Sequence, residues 1–91
     1  MTKNELTRHI ARQCDTTNLE AGRFLEAFQS LVMTAVATGD KVTLVGFGSF
    51  SPQVRAERQG RNPQTGEPLT IPQKIVPVFS AGQTFKEIVD Q

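Results

Sequence analysis

The stretch Gly60–Gly66, GRNPQTG, decides how the rest of the chain is read. It holds two glycines, a proline, an arginine and three amide or hydroxyl side chains, none of which can help to build a hydrophobic core. Asn-Pro followed by a glycine is turn chemistry. Before it, Gln53 to Gln59 can run as a strand, although Val54 and Ala56 are its only apolar residues. After it, PLTIPQKIVPVF sets Leu69, Ile71 and Ile75 on one face, and its prolines at 68, 72 and 77 mark an edge strand or an interrupted one. The result is a hairpin with almost no apolar face and no spare helix to cover it. An isolated two-stranded hairpin is marginal in water, so residues 53–75 are expected to project as an arm. The strand from Gln53 to Gly60 would reach about 26 Å from its root.

Upstream, the apolar period changes. KVTLVGFGSF alternates Val42 and Leu44 and then brackets Phe47 between Gly46 and Gly48, which predicts a tight turn between two strands. Before Asp40 the period is helical. Thr2 with Glu5 has the capping-box spacing and leads into Leu6, Ile10 and Cys14 on one stripe. DTTN breaks that pattern. Thr17 with Glu20 repeats the capping signal before Ala21, Phe24, Leu25, Phe28, Leu31, Val32, Ala35 and Val36, and Gly39 stands where a terminating glycine belongs. Downstream, Ser80 and Gln83 could cap a last helix carrying Phe85, Ile88 and Val89. The reading is an α+β chain of two helices, a three-stranded antiparallel sheet and a short C-terminal helix. It forms one domain, 1–91, with a helical part over about 1–40, sheet and arm over about 41–78, and the last helix over about 82–90.

With the arm set aside, a body of about 68 residues must supply all the core, which is thin for an independent fold. The apolar positions of the second helix exceed what one short helix could cover. A second copy of the chain is therefore expected to complete the core, with Phe24, Phe28, Leu31, Leu44, Phe47, Phe50 and Phe79 in the shared interior.

Net charge over the 91 residues is only +1, but its distribution is uneven. From Lys41 to Lys86 there are six bases (Lys41, Arg55, Arg58, Arg61, Lys74, Lys86) against Glu57 and Glu67, whereas the first forty residues carry four bases and five acids. A mildly acidic body thus bears a basic middle. No apolar run approaches the length of a membrane span, and the polar, charged start of the chain has no signal-peptide character. The single cysteine agrees with a reducing compartment, and an intracellular, cytoplasmic location is expected.

Chemistry of the enzymatic kind has little to stand on. His9 is the only histidine and Cys14 the only cysteine, so neither has a partner for a metal site or a catalytic pair, and Cys14 reads as packing at a helix end. Five residues separate Gly60 from Gly66, and Glu67 stands where a phosphate loop would need lysine. GFGS lacks the third glycine of a dinucleotide fingerprint and precedes a strand. No cofactor, metal, membrane partner or small-molecule substrate is expected, and no enzymatic activity.

VGFGSF followed by RAERQGRNPQTG resembles the bacterial HU and integration host factor family of DNA-bending proteins, and the resemblance runs end to end. It rests on the order helix-helix-hairpin-helix, the Gly-Phe-Gly-x-Phe turn, the Arg-x-x-Arg spacing and the Gly-Arg-Asn-Pro tip occurring together. It implies an intertwined dimer whose helical base carries two β-ribbon arms along the minor groove, each tip proline wedging between base pairs. That mechanism belongs to the family, itself a standing example of minor-groove wedging, and is not read from the residues alone. Carried onto this chain, the wedge is Pro63. Arg61 and Asn62 would enter the groove beside it, and Arg55, Arg58 and Lys74 would line the arm against sugar and phosphate. Lys86, with the Gly46 turn, would meet phosphates on the body. The implied partners are double-stranded DNA, preferably bent, nicked or flexible, and the chain itself as a homodimer. The implied role is condensing and organising the chromosome as a nucleoid-associated, histone-like protein.

The residues suit those roles. Proline offers a rigid ring with no amide hydrogen to strand in a base stack, and arginine favours a narrow groove of enhanced negative potential. Blander alternatives exist: Pro63 as an ordinary turn proline, and Arg55 and Arg58 as charges that keep an exposed edge from aggregating. The arm also departs from the family pattern, with Gln53, Gln59, Gln64, Gln73 and Gln83 where many members carry bases. Gly46 has no side chain to read a base edge, which favours HU-like, largely sequence-independent binding over site-specific binding of the integration-host-factor kind. A competing reading is a dimeric interaction protein whose glutamine-rich arms bind a protein or RNA.

Overall fold

The computed structural model describes residues 1–90. Its elements are α1 (Lys3–Gln13), α2 (Asn18–Ala37), β1 (Val42–Leu44), β2 (Gly48–Arg55), β3 (Arg58–Arg61), β4 (Pro68–Ile71), β5 (Lys74–Ala81) and α3 (Gln83–Val89). They group into two compact units that divide at Thr34 and Ala35.

In the first unit, both expected caps form. The Glu5 N–H donates to Thr2 Oγ1 at 3.2 Å and the Glu20 N–H to Thr17 Oγ1 at 3.1 Å, each satisfying an amide that has no partner inside its helix. The first helix ends with Cys14 as C-cap and Asp15 in the left-handed region (φ 53). The Thr16 N–H donates to Ala11 O (2.9 Å) and the Asp15 N–H to Arg12 O (3.4 Å), the paired bonds of a Schellman end. Cys14 is exposed, contrary to the expectation of a packing role: as the last, half-helical residue it has left the stripe, and Ala11 is the buried residue of α1. An ion pair, Lys3 Nζ to Glu26 Oε1 at 2.7 Å, ties α1 to α2.

In the second unit, α2 ends on Gly39 as expected, with the Gly39 N–H on Val36 O (3.0 Å) and the Asp40 N–H on Ala35 O (2.9 Å). The antiparallel sheet has the order β1-β2-β5, in the register Val42↔Phe50, Phe50↔Phe79 and Arg55↔Lys74. The Phe47 N–H donates to Leu44 O at 3.0 Å and closes the expected turn, which leads into β2 at Gly48. Four phenylalanines gather on one side. Phe50 and Phe79 lie 4.9 Å apart, Phe47 and Phe79 5.3 Å, and Phe47 stacks on Phe85 at 5.7 Å. Pairs of this kind contribute about 0.5–1.5 kcal/mol each beyond their area.

The last helix differs from its expected start. Ser80 does not cap it: β5 continues through Ala81, whose pairing with Gly48 keeps Ser80 in the sheet, and the N-cap is Gly82 with no side-chain bond. The α3 start is instead fastened by backbone, the Phe85 N–H to Gly46 O (3.1 Å) and the Gly82 N–H to Phe47 O (2.9 Å).

The two units leave much apolar surface open. Among the described residues the buried hydrophobics are Ala11, Ala21 and Val36, and no large side chain is fully buried. Phe24 is 59% exposed and Leu31 70%, and Phe28, Leu44, Phe47 and Phe79 are also exposed. A chain of this length cannot be stable with its large apolar residues in water, so these faces need cover.

Candidate nucleic-acid interface

The arm is a continuation of the β2–β5 pair with one gap. Arg55 faces Lys74 at the last rung of the main sheet, and Arg58 faces Ile71 at the first rung of the β3–β4 ribbon. Two residues separate these rungs on each strand, so the register passes through the gap without a slip. The gap spans Ala56 and Glu57 opposite Pro72 and Gln73, where Pro72 has no N–H to donate. The interruption expected from the downstream prolines therefore appears on both strands, and the arm consists of two ribbon segments rather than one uninterrupted hairpin.

At the tip, Asn62 pairs back to Glu67, with the Asn62 N–H on Glu67 O at 2.9 Å. The loop between them is held locally. Asn62 Oδ1 accepts from the Gln64 N–H (2.9 Å), Thr65 Oγ1 accepts from the Glu67 N–H (3.3 Å), and Asn62 O accepts from the Gly66 N–H (2.7 Å). These are the turn bonds for which asparagine and threonine are suited. Arg61 Nη1 donates to Gly66 O at 3.3 Å, so this guanidinium braces the tip while remaining exposed. Pro63 is exposed at the crest of this braced loop.

The named residues fall into three places. Pro63, Asn62 and Arg61 share the tip. Arg55 and Lys74 lie opposite one another at the root of the arm, two cations that form no ion pair among the described residues and therefore repel one another until an anion approaches. Arg58 stands between, at the start of β3. Lys86 is in the last turn of α3, the helix anchored on Gly46. Gly46 itself is half-buried, and its carbonyl is engaged by the Phe85 N–H.

Leu69 and Ile71 share a face, as their spacing indicates, and the register sets Gly60 across from Leu69 and Arg58 across from Ile71 on that same face. The other face of the same segment is polar, with Gln59 Nε2 3.5 Å from Thr70 Oγ1.

Elsewhere, an open groove of about 800 Å³ in the helical unit is lined by Lys3, Arg8, Leu19, Arg23 and Glu26 among others. Among the described residues there is no group of three or more histidine, cysteine, aspartate or glutamate side chains placed to hold a metal, and no helix long and apolar enough to cross a membrane.

Residues 1–90 match the family described as bacterial DNA-binding protein. The chain is 51% identical to DNA-binding protein HU-beta of Neisseria meningitidis over 96% of its own length and 98% of the relative's. It is 44% identical to DNA-binding protein HU of Staphylococcus aureus over 98% and 99%. Among solved structures, the Anabaena HU–DNA cocrystal structure superposes with a TM-score of 0.91 at 47% identity, covering 98% of this chain and 97% of that one. The chain belongs to the bacterial DNA-binding protein family.

Proposed function

We propose that two copies of this chain form an intertwined homodimer that binds double-stranded DNA through its two arms and bends it, an architectural role without catalysis. The observation that carries the reading is a ribbon that builds no core, lined by Arg55, Arg58, Arg61 and Lys74 and ending in an exposed proline on a braced loop. The likeness to HU proteins, one of them crystallised with DNA, supports it.

The dimer supplies what one chain lacks. The exposed Phe24, Phe28 and Leu31 of α2, with Leu44 and Phe79 of the sheet, Phe47 of the turn between β1 and β2 and the half-buried Phe50, are the surface a second copy would cover. At about 25 cal/mol per Å2 of apolar area removed from water, such cover is the main source of stability open to so small a chain. One domain then serves two ends: residues 1–40 hold the pair together, and residues 53–75 reach outward.

On DNA, Pro63 is the wedge, Arg61 and Asn62 lie in the minor groove beside it, and Arg55, Arg58 and Lys74 follow the sugar-phosphate strand. Lys86 and the Gly46 turn meet phosphates nearer the body. Unstacking a base step costs a few kcal/mol, which contacts along arm and body must return. Binding is largely independent of sequence and favours DNA that is already nicked or bent, because part of the deformation cost is then removed. A cytoplasmic, nucleoid-associated location, with compaction of the chromosome, follows from that activity.

Titration of labelled nicked and intact duplexes across salt concentrations tests the reading. Five candidate cations per chain, with about six to eight of the dimer's set engaged, give a log–log salt slope of about −5 to −7 and tighter binding to the nicked duplex. A slope shallower than about −3, equal affinity for the two duplexes, or a preference for RNA overturns it.

A further inference from the structure

Gly60 occupies the middle of β3 for no reason internal to the arm. Its backbone is not in the left-handed region, unlike that of Gly39, Gly46, Gly48 and Gly66. It is not at a bulge, because Gln59, Gly60 and Arg61 pair one for one with Thr70, Leu69 and Pro68. Nor is it crowded. A Cβ there would stand 3.4 Å from Ile71 Cδ1, 3.7 Å from Leu69 Cδ1 and 3.9 Å from Ile71 Cγ1, ordinary van der Waals separations. A glycine within a strand weakens it, since it loses the most backbone freedom and packs nothing. With strain, bulge and crowding set aside, what remains is the close approach of another molecule.

We propose that Gly60 is a positioning residue that keeps one face of the arm low enough for a DNA strand to lie against it, with Leu69 and Ile71 as an apolar seat for deoxyribose. This rests on the reading of the arm as DNA-binding. Leu69 faces Gly60 directly, and the next pair on the same face is Arg58 with Ile71. An apolar seat and a guanidinium therefore stand side by side, matching the alternation of apolar sugar and anionic phosphate along a nucleic-acid strand. Leu69 is 39% exposed and open to contact. The opposite face, with Gln59, Thr70, Arg61 and Pro68, has no glycine and no such seat.

The test uses full-length Gly60→Val and Gly60→Ala. Valine is favoured in strands, so the β3–β4 ribbon of Gly60→Val should be at least as well ordered as in the wild type, read by amide exchange. Affinity for a nicked duplex should nevertheless fall about tenfold, equivalent to about 1.4 kcal/mol. Gly60→Ala should lose less, and it carries the test if valine disorders the ribbon. The salt slope should stay unchanged, because no phosphate contact is removed. Binding of both variants within about twofold of wild type, or a loss accompanied by a shallower slope, overturns the inference. Wild type in parallel separates the two claims: if it fails to bind the nicked duplex the DNA reading falls as well, and if it binds while Gly60→Val matches it only the role of Gly60 falls.

Discussion

Gly48→Ala puts the packing of the sheet to a severe trial. A Cβ at this position would lie 2.5 Å from Ser80 O, 2.6 Å from Phe79 Cζ and 2.7 Å from Phe79 Cε1. The oxygen is backbone of the neighbouring strand, fixed by the β2–β5 register, and cannot rotate aside. The ring is held between Phe47, Phe50 and Phe85. Overpacking of this kind costs about 1–3 kcal/mol. The backbone adds to it, since φ is +154° and an L side chain there carries a conformational penalty of about 1–2 kcal/mol. The expected loss is about 2–5 kcal/mol, or roughly 10 °C or more in Tm for a chain of this size. Gly39→Ala separates the two contributions: φ is +92° but no atom lies within 4 Å of the added Cβ, so only the conformational penalty of about 1–2 kcal/mol applies. Both variants are compared with wild type by urea and thermal unfolding followed by circular dichroism, at equal protomer concentration because the stability of a dimer depends on it. Gly48→Ala losing no more than Gly39→Ala would refute the reasoning, since the close approach of β5 would then impose no cost.

Thr17→Ala removes the acceptor of the Glu20 N–H and should destabilise the protein by about 1 kcal/mol, while Thr17→Ser should retain most of it, both read by chemical denaturation. The Lys3 ammonium, first by its hydrogen bond and then by its charge, holds the Glu26 carboxyl below the usual carboxylate range. A lowered carboxyl contributes stability that is fully present above the unfolded value of 4.5 and is lost as pH falls through the folded one. The small stability gap between wild type and Glu26→Gln, measured by thermal unfolding against pH, should therefore be constant at neutral pH and close in acid. A gap that widens in acid contradicts this pairing.

Local signals survive folding where their partners are near in sequence. Thr2 with Glu5, Thr17 with Glu20, Gly39 after α2 and the Gly46–Gly48 turn were all legible, because each is satisfied within a few residues. Ser80 was misleading for the complementary reason: its capping spacing is local, but the pairing of β5 with β2 is not, and the sheet retained it. Gln53 to Gln59 reads as one strand, and only the presence of Pro72 and Gln73 opposite Ala56 and Glu57 accounts for its interruption. In the candidate interface, the basic residues and Pro63 were visible in composition and spacing. The bracing of Arg61 on Gly66, the opposition of Arg55 and Lys74, and the seat of Leu69 and Ile71 beside Gly60 all depend on register, which no single strand encodes.

The bending of DNA by Pro63 is tested most directly by energy transfer between fluorophores at the two ends of a duplex bound by wild type or by Pro63→Ala. The loop bonds of Asn62, Thr65 and Gly66 do not involve the proline ring, so the tip should keep its shape in the variant. If the ring is the wedge, Pro63→Ala should still bind through its unchanged cations but bring the ends closer by much less than wild type does. Equal transfer for the two proteins at saturation would contradict the wedge, whatever their affinities.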